Sequence, residues 1–451
     1  MKPWSRALRE RARLPYLLLP LALGVIVSCT TVSSSGATTS PDAVLGEPTV
    51  ATVAPTPEPT PLITPIPSLA PTPAPTIEPS LSPTPAASPQ FVEPADEPSL
   101  DAKTTAKLQK ILDNQVKNKD VAGLQAAVRL PSGETWLGTA GVAEFSPDRA
   151  LDDDDQMAIA SVTKTFVAAL ILQLAEEGKI DLDATYGTYF RDAPRKDTVT
   201  IRQLLSHTSG IYNYWANPRY GEITKAWWQN PGAGGLKARS HQWTFEEMME
   251  LVRGGEFKPG EDYQYSNTNY LILRMVAETV EGKPIHKQLK ERYFEPLGLD
   301  DTIYQPAQKP RTDAAHGHWS WPGGHTDHTK ASRYIPFMAA ASIADGAGAM
   351  ASTARDLSVW ASALYGGEVL SEESLREMMT FLAPGNYGLG AYPRHYAGNR
   401  GIGHRGGIRG YESAMFFFPE TDVSVVLVSN QGNWGVDVPL EKLVKAVLGE
   451  G

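Results

Sequence analysis

The sequence SVTKTFVAALILQLAEE occupies residues Ser161–Glu177 and is followed by Gly178. Apolar side chains fall on almost every face of a helix drawn through it, which predicts a buried helix that ends at the glycine. Its first turn nevertheless holds Ser161 and Lys164, which are three residues apart and therefore share a helical face. A helix this apolar lies at the centre of a fold.

The hydroxyl and the amine in this turn predict a nucleophile with its activating base. A desolvated lysine loses its proton near neutral pH and can then accept the proton of a neighbouring hydroxyl. The positive potential of a helix N-terminus also stabilises an oxyanion. A serine N-cap with a surface lysine would give the same motif, and about one Ser-x-x-Lys is expected by chance. The apolar helix around the motif favours the catalytic interpretation.

Strand patterns lie at both ends of the folded part. Two β-hairpins are predicted, from Val121–Leu130 with Glu134–Val142 and from Tyr411–Phe418 with Val423–Ser429. Amphipathic helices are predicted at 108–116 and 440–448. This order predicts an α+β fold. One antiparallel sheet is built from N- and C-terminal strands and flanked by helices, and a mainly helical lobe is inserted between them.

Two further motifs carry polar groups suited to catalysis. In Tyr265-Ser266-Asn267 a phenol near a lysine can be held partly as phenolate and act as base or proton relay. In His404-Arg405-Gly406-Gly407 a cation at a strand edge, followed by glycines, leaves room for a substrate and an N–H for an oxyanion. Taken alone, the first motif is equally a turn with Asn267 as helix N-cap. The second is equally a glycine-rich loop.

The three motifs follow one another in the order Ser-x-x-Lys, Tyr-x-Asn and His-x-Gly. They resemble the penicillin-recognising serine hydrolases, in the branch of class C β-lactamases, D-alanyl-D-alanine carboxypeptidases and serine esterases. Further segments similar to that family are Ile159–Thr165, Val199–Gly210, Phe257–Gly260 and Gly346–Leu357. The resemblance covers residues 100–449. It implies the β-lactamase and transpeptidase fold and a serine hydrolase that needs no cofactor or metal.

The resemblance also implies a role for each motif residue. Ser161 would be the acylated nucleophile, Lys164 its activating partner, and Tyr265 the general base that later protonates the leaving group. The N–H groups of Ser161 and Gly407 would form the oxyanion hole. The implied substrate-binding residues are Asn267, His404, Arg405, Gly406 and Gly407. His207 supports the fold in this family, and we expect no chemistry from it.

Two departures from the family pattern bear on the substrate. His404 supplies a positive or hydrogen-bonding edge where true class C β-lactamases have lysine, which favours the peptidase and esterase branches. Arg405 either recognises a substrate carboxylate or points to solvent. The expected substrates are D-amino-acid peptides derived from peptidoglycan, small esters and, slowly, β-lactams. A non-catalytic wall-binding or penicillin-sensing protein on the same fold is the alternative.

The N-terminal region predicts export and a tether. A basic segment precedes the apolar run Leu14–Val27, as in secretory signals, and its end resembles the bacterial lipobox, which implies lipidation of Cys29. An uncleaved anchor is the alternative. Seventeen of the 36 prolines lie within residues 41–98, a composition typical of a disordered spacer. The predicted organisation is a signal segment (1–29), a linker (30–98) and a hydrolase domain (99–451), anchored to the outside of the bacterial membrane.

The composition argues against several other classes of protein. A net charge of −10 argues against nucleic acid as a partner, and a single cysteine excludes a disulfide framework. We expect a monomer.

The run Asp152–Asp155 predicts a solvated loop, because adjacent side chains diverge. Four histidines within His316–His328 predict an aromatic lid or surface loop, with a zinc site as the alternative. Residues Tyr212–Trp243 predict an aromatic cleft wall.

Overall fold

The computed structural model describes residues 100–117, 121–145, 148–229, 233–311, 313–321, 324–327, 329, 332–382 and 385–451. The chain divides into two units, Met1–Pro89 and Gln90–Gly451, and all described residues lie in the second. The predicted signal segment, Cys29 and the linker lie outside the described residues and stay predictions. No helix of the described part combines the length and the apolar character needed to cross a membrane.

Seven strands form one antiparallel sheet in the order β3-β2-β1-β12-β11-β10-β9. Their bounds are β1 (Gly123–Arg129), β2 (Thr135–Phe145), β3 (Asp148–Ala150), β9 (Tyr392–Tyr396), β10 (Asn399–Ile408), β11 (Tyr411–Phe418) and β12 (Val423–Ser429). N- and C-terminal strands meet where β1 pairs with β12. The predicted α+β sheet is therefore confirmed, and the second hairpin has the predicted bounds.

The other strands of the described residues form two small three-stranded sheets, β4-β8-β5 and β13-β6-β7. Their bounds are β4 (Met157–Ala158), β5 (Ile303–Tyr304), β6 (His318–Trp321), β7 (Gly324–Asp327), β8 (Met350–Ser352) and β13 (Gln431–Gly432). Strands β6 and β7 form a hairpin within the histidine-rich segment. Strand β4 leads directly into the buried helix and so fixes where that helix begins.

Most helices lie between β3 and β9 and form the predicted helical lobe. The helices are α1 (Ala102–Lys117), α2 (Thr163–Glu176), α3 (Ile201–Leu205), α4 (Pro218–Gln229), α5 (Ala233–Ser240), α6 (Phe245–Met249), α7 (Asn267–Glu281), α8 (Ile285–Leu289), α9 (Glu295–Leu297), α10 (Met338–Ala344), α11 (Ala354–Tyr365), α12 (Glu372–Met378) and α13 (Asp437–Leu448). Short 3₁₀ turns occupy Ala160–Val162, Tyr186–Thr188, Tyr214–Ala216 and Asp345–Ala347, and a π-helical turn occupies Lys290–Phe294.

The main sheet separates two apolar cores. Helices α1 and α13 cover one face through side chains such as Leu108 and Leu440. Helices α2 and α11 lie in the core on the other face, where Phe166 stacks on Trp360 with ring centroids 3.9 Å apart. Helix α2 is buried on nearly all sides. The predicted central helix is confirmed.

The acidic run Asp152–Asp155 differs from its prediction as a solvated loop. Asp155 is buried, and its carboxylate forms an ion pair with Arg149 (2.8 Å) and accepts the N–H of Asp152 (2.7 Å). The carboxylates of Asp152, Asp153 and Asp154 lie within 4.8 Å of one another instead of diverging. The loop turns around the buried Asp155, and this turn brings the other carboxylates together.

A substitution inside α2 tests the central position of this helix. Leu170→Ala removes a fully buried side chain and is expected to lower the free energy of unfolding by about 2–5 kcal/mol. Leu236→Ala is the matched control: its side chain is 54% exposed on α5, and we expect a change within about 0.5 kcal/mol. Urea unfolding of the full chain measures both values, and equal losses would contradict a buried α2.

Candidate active site

A tight turn presents Ser161 at the start of the buried helix. Ala160, just before it, has a positive φ of 46°, a backbone conformation that costs non-glycine residues about 1 kcal/mol or more. Ser161 follows in the 3₁₀ turn, half-buried, where the first N–H groups of a helix have no partner within the helix. The turn therefore places both the hydroxyl and an N–H of Ser161 at the same helix end.

Lys164 is fully buried directly beneath Ser161, with its Nζ 3.1 Å from the serine Oγ. The Nζ also donates to Asn267 Oδ1 (2.9 Å) and to the carbonyl oxygen of Ala347 (2.6 Å). Burial holds the pKa of Lys164 well below its ordinary value of 10.5, which favours the neutral amine. A neutral amine has two N–H groups and one lone pair. Because the two oxygens can only accept, the lone pair is left for the hydroxyl proton of Ser161.

The carbonyl of Ala347 is held in place by an ion pair that the sequence did not indicate. Asp345 begins the turn Asp345–Ala347, and both its carboxylate oxygens are bonded to Arg274 (2.5 and 3.1 Å). The hydroxyl of Tyr304 donates to the same carboxylate (2.6 Å). This network fixes the turn that supplies one of the two acceptors for Lys164.

Tyr265 lies against the same lysine. The Nζ of Lys164 is 4.9 Å from the centroid of its ring, and its hydroxyl lies close to the side chain of Ser161. Burial raises the pKa of Tyr265 well above its ordinary value of 10, so the phenol is protonated in the resting site. The expected partial phenolate is therefore wrong, because a neutral lysine supplies no cation to offset desolvation. Tyr265 is placed to donate a proton.

Asn267 is the first residue of α7 and connects two parts of the site. Its Oδ1 accepts from Lys164, and its backbone N–H donates to Asn213 Oδ1 (3.3 Å). Beneath it, His207 Nδ1 accepts the N–H of Ser266 (3.2 Å), and the His207 ring lies 4.3 Å from the Tyr265 ring. His207 thus supports the Tyr265–Asn267 segment, in line with its expected structural role.

His404 is a neutral, hydrogen-bonded group in this site, so of the two expected edges, positive or hydrogen-bonding, the structure favours the second. Burial lowers the pKa of His404 to about 3. Its Nδ1 lies 2.5 Å from the carbonyl of Arg405, which can only accept, so Nδ1 carries the proton. Its Nε2 therefore accepts from the hydroxyl of Tyr387 (3.0 Å). No motif pointed to Tyr387, which lies in a loop and reaches the site only through the fold.

Arg405 follows the second of the two predicted alternatives, because its side chain points away from the site and is 34% exposed. Its guanidinium donates to Asp437 Oδ2 (2.7 Å), at the start of α13, on the face of the sheet covered by α1 and α13. Successive side chains of a strand point to opposite faces. Because His404 points toward Lys164, its neighbour Arg405 points away from the site. Arg405 does not bind a substrate at Ser161.

The adjacent glycines Gly406 and Gly407 of β10 have different roles. A Cβ at Gly406 would lie 2.1 Å from the carbonyl oxygen of Ile159, so glycine lets the strand approach the turn before Ser161. At Gly407 a Cβ would meet nothing within 4 Å. Gly406 is thus a spacer, and Gly407 faces open space.

The backbone of Gly407 faces an unpaired strand edge. Strand β9 pairs with β10 only as far as Gly403, and the N–H of Arg405 donates on that same side to Tyr392 Oη (3.1 Å). Every second N–H of a strand points the same way, so the N–H of Gly407 faces this edge as well. The predicted oxyanion donor is therefore positioned to bond a ligand.

Comparison with known proteins identifies the family of this chain. A model of the Beta-lactamase family matches residues 108–449. The chain belongs to the beta-lactamase family. The resemblance and the α+β fold are thereby confirmed.

The beta-lactamase-family relatives of this chain include hydrolases of amide bonds. A D-stereospecific amidohydrolase from Streptomyces sp. is 30% identical, with a TM-score of 0.64 over 76% of this chain and 98% of that one. A D-amino acid amidase from Ochrobactrum anthropi SV3, in complex with L-phenylalanine amide, is 27% identical, with a TM-score of 0.65 over 77% and 99%.

Among curated sequences, the putative penicillin-binding protein PbpX of Bacillus subtilis (strain 168) is 27% identical over 61% of this chain and 62% of that protein. The chain thus spans about six tenths of the length of this curated relative. Membership of the family supports hydrolysis of amides or esters as the reaction class.

In this beta-lactamase-family chain, the histidine-rich segment His316–His328 forms part of the wall of a pocket beside Gly407. His316 Nδ1 lies 2.8 Å from Asp327 Oδ2, and this carboxylate raises the pKa of His316. Trp319 borders a pocket beside Gly407, as the predicted lid would. The side chains of His325 and His328 lie outside the described residues. Within the described part, the one group of three or more close metal-ligand types is Asp152–Asp154 rather than histidines.

The aromatic insertion Tyr212–Trp243 borders the same pocket, which has a volume of about 390 Å³. Trp215, Tyr220 and Trp227 line it, together with Gly407 and Ile408 of β10. The predicted cleft wall is therefore correct for these residues. Nothing in the sequence showed that the pocket adjoins the oxyanion edge.

Proposed function

We propose that this protein is a serine hydrolase that cleaves amide or ester bonds of D-amino-acid derivatives through an acyl-enzyme at Ser161. The observation that carries the proposal is the fully buried amine of Lys164, which lies 3.1 Å from Ser161 Oγ and donates to two obligate acceptors. In its neutral form this amine has its lone pair left for the serine hydroxyl. A merely structural lysine would have no reason to be buried against a half-exposed serine.

The residues support the following sequence of proton transfers. Lys164 Nζ takes the proton of Ser161 as Oγ bonds to the carbonyl carbon, and the N–H groups of Ser161 and Gly407 hold the oxyanion. When the tetrahedral intermediate collapses, Tyr265 gives its proton to the leaving group and regains one from the protonated lysine. In the second step Lys164 takes a proton from water as the water oxygen bonds to the carbonyl carbon of the acyl-enzyme ester. Lys164 returns this proton to Ser161 Oγ when the bond between that carbon and Oγ breaks and the carboxylic acid leaves.

The leaving-group side of the site supports an amide or ester over a free carboxylate. His404 is neutral, and Arg405 is engaged with Asp437 on the other face of the sheet. A D-alanyl-D-alanine carboxypeptidase or a β-lactamase has to hold a carboxylate next to the scissile bond. The family relatives named as D-amino acid amidase and D-stereospecific amidohydrolase support the same substrate class.

A substrate panel tests the proposal. The full chain is expected to hydrolyse D-phenylalaninamide and D-amino-acid p-nitroanilides faster than D-alanyl-D-alanine or benzylpenicillin. Ser161→Ala should hydrolyse none of them above the buffer rate. Faster cleavage of D-alanyl-D-alanine would reject the assignment of the leaving group, and hydrolysis of no amide or ester would favour the non-catalytic alternative.

The pH dependence of kcat/KM follows from the two shifted pKa values. Activity requires a neutral lysine, so it should rise with pH through a pKa of Lys164 far below 10.5. Burial raises the pKa of Tyr265, so the proton it donates is retained and no alkaline limb should occur below pH 10. An alkyl ester without ionisable groups, whose leaving group still needs a proton, reports both limbs of the pH profile. A fall in kcat/KM between pH 8 and 10 would contradict a protonated tyrosine.

We further propose that the enzyme works outside the cytoplasm as a monomer tethered through a lipid at Cys29. The signal-like N-terminus and the proline-rich linker support this placement. Cys29→Ser should release the protein from the membrane fraction of a bacterial host. Equal membrane association of the two forms would reject the lipid anchor.

A further inference from the structure

The pocket beside Gly407 lies at the end of β10 away from the leaving-group side. Tyr265, the proton donor, lies near His404, with ring centroids 6.2 Å apart. Gly407 is three residues further along the strand, about 10 Å at the usual rise. A carbonyl held by the N–H of Gly407 with its leaving group toward Tyr265 directs its acyl part into this pocket.

We infer that this pocket binds the side chain of the acyl amino acid and selects large, uncharged aromatic side chains. This inference rests on the proposed function and names its substrate class. The pocket volume of about 390 Å³ far exceeds what a methyl side chain would fill.

The walls of the pocket are aromatic and well supported. Trp215 and Tyr220 stack on each other, with centroids 5.4 Å apart and an interplanar angle of 15°. Trp227 is 2% exposed and packs edge-on against Phe337 at 5.5 Å. Rings fixed in this way offer stacked and edge-to-face contacts to a substrate ring.

The charged groups of the pocket disfavour a cationic side chain. The guanidinium of Arg409 lies 4.4 Å from the centroid of the Trp319 ring, so a positive charge already occupies this wall. The carboxylate of Glu412 accepts the N–H groups of Trp434, Gly435 and Val436 at 3.2 Å each. Glu412 is thus engaged with backbone N–H groups, and a lysine-like substrate would lose the hydration of its ammonium in a largely aromatic pocket that already holds the guanidinium of Arg409.

Selectivity among D-amino-acid p-nitroanilides tests the inference. The full chain is expected to show kcat/KM for the D-phenylalanine and D-tryptophan compounds at least about tenfold above that for D-alanine or D-lysine. Thr224→Trp fills the pocket from the half-buried face of α4. It should lower kcat/KM for D-phenylalanine about tenfold or more while D-alanine stays within about twofold. Glu222→Trp, exposed on the same helix, is the control and should change neither.

The inference is overturned if D-alanine is the better substrate, or if Thr224→Trp lowers both substrates equally. A binding measurement separates it from the proposed function. D-Phenylalaninamide should quench the tryptophan fluorescence of Ser161→Ala saturably, and Thr224→Trp in that background should abolish the effect. If no substrate is hydrolysed, the proposed function fails while saturable quenching still supports the pocket. Absence of quenching overturns the pocket assignment.

Discussion

Replacing Lys164 by methionine is expected to lower kcat/KM for a D-amino-acid amide by about 10³-fold, equivalent to about 4 kcal/mol in the barrier. The buried amine is the one base within hydrogen-bond distance of Ser161 Oγ in the described structure, at 3.1 Å. Without it, the hydroxyl would have to attack with its proton still in place. Methionine has a similar length and fills the same apolar surroundings, so the loss reports the amine rather than a cavity.

The matched control for this change is Lys179→Met. Lys179 is 44% exposed and forms surface ion pairs with Glu177 and Glu281, which contribute little. We expect its activity to stay within about twofold of the parent. Urea unfolding of both variants checks that the fold is intact. A folded Lys164→Met protein with more than a tenth of the parent activity would reject Lys164 as the base.

Tyr265→Phe has the second-largest expected effect, and its size should depend on the leaving group. A protonated phenol beside Ser161 and Lys164 serves to protonate the departing amine. We expect a loss of about 10²–10³-fold for an amide substrate and about tenfold or less for a p-nitrophenyl ester, because nitrophenolate leaves without a proton. Comparing kcat for the two substrates measures this difference.

The control for the tyrosine is Tyr189→Phe, which removes a hydroxyl that accepts the N–H of Asp181 at 2.7 Å. It should leave both activities within about twofold. Equal losses for ester and amide in Tyr265→Phe would show that the phenol acts in the attack step, as base or orienting group. The proton-donor role would then be wrong.

Local sequence patterns were sufficient to predict the helix and the strands that form the site. The apolar periodicity of α2 predicted its central burial, and alternation predicted the hairpin of β11 and β12 with its observed bounds. The same reasoning could have decided between the two alternatives for Arg405. Adjacent residues of a strand point to opposite faces, so only one of His404 and Arg405 can face Ser161.

Other features depend on contacts between distant parts of the chain. Tyr387 reaches His404 from a loop, and Arg274 reaches Asp345 from 71 residues away, so no spacing rule indicates either. The protonation states of Tyr265 and His404 also could not be predicted from the sequence. They follow from the burial of these side chains, which depends on the complete fold.

The neutral His404 changes the functional expectation most. A lysine at a strand edge would hold a substrate carboxylate, whereas a histidine that accepts from Tyr387 presents no charge. His404→Lys is therefore a direct route by which a related site could come to favour carboxylate-bearing substrates.

Trapping of the acyl-enzyme tests the central claim most directly. A fluorophosphonate should bond to Ser161 Oγ with loss of fluoride, and peptide mass mapping of the full chain should place a single adduct on Ser161. Ser161→Ala should remain unmodified under the same conditions. An adduct on another residue, or equal labelling of Ser161→Ala, would contradict a serine hydrolase centred on Ser161 and Lys164.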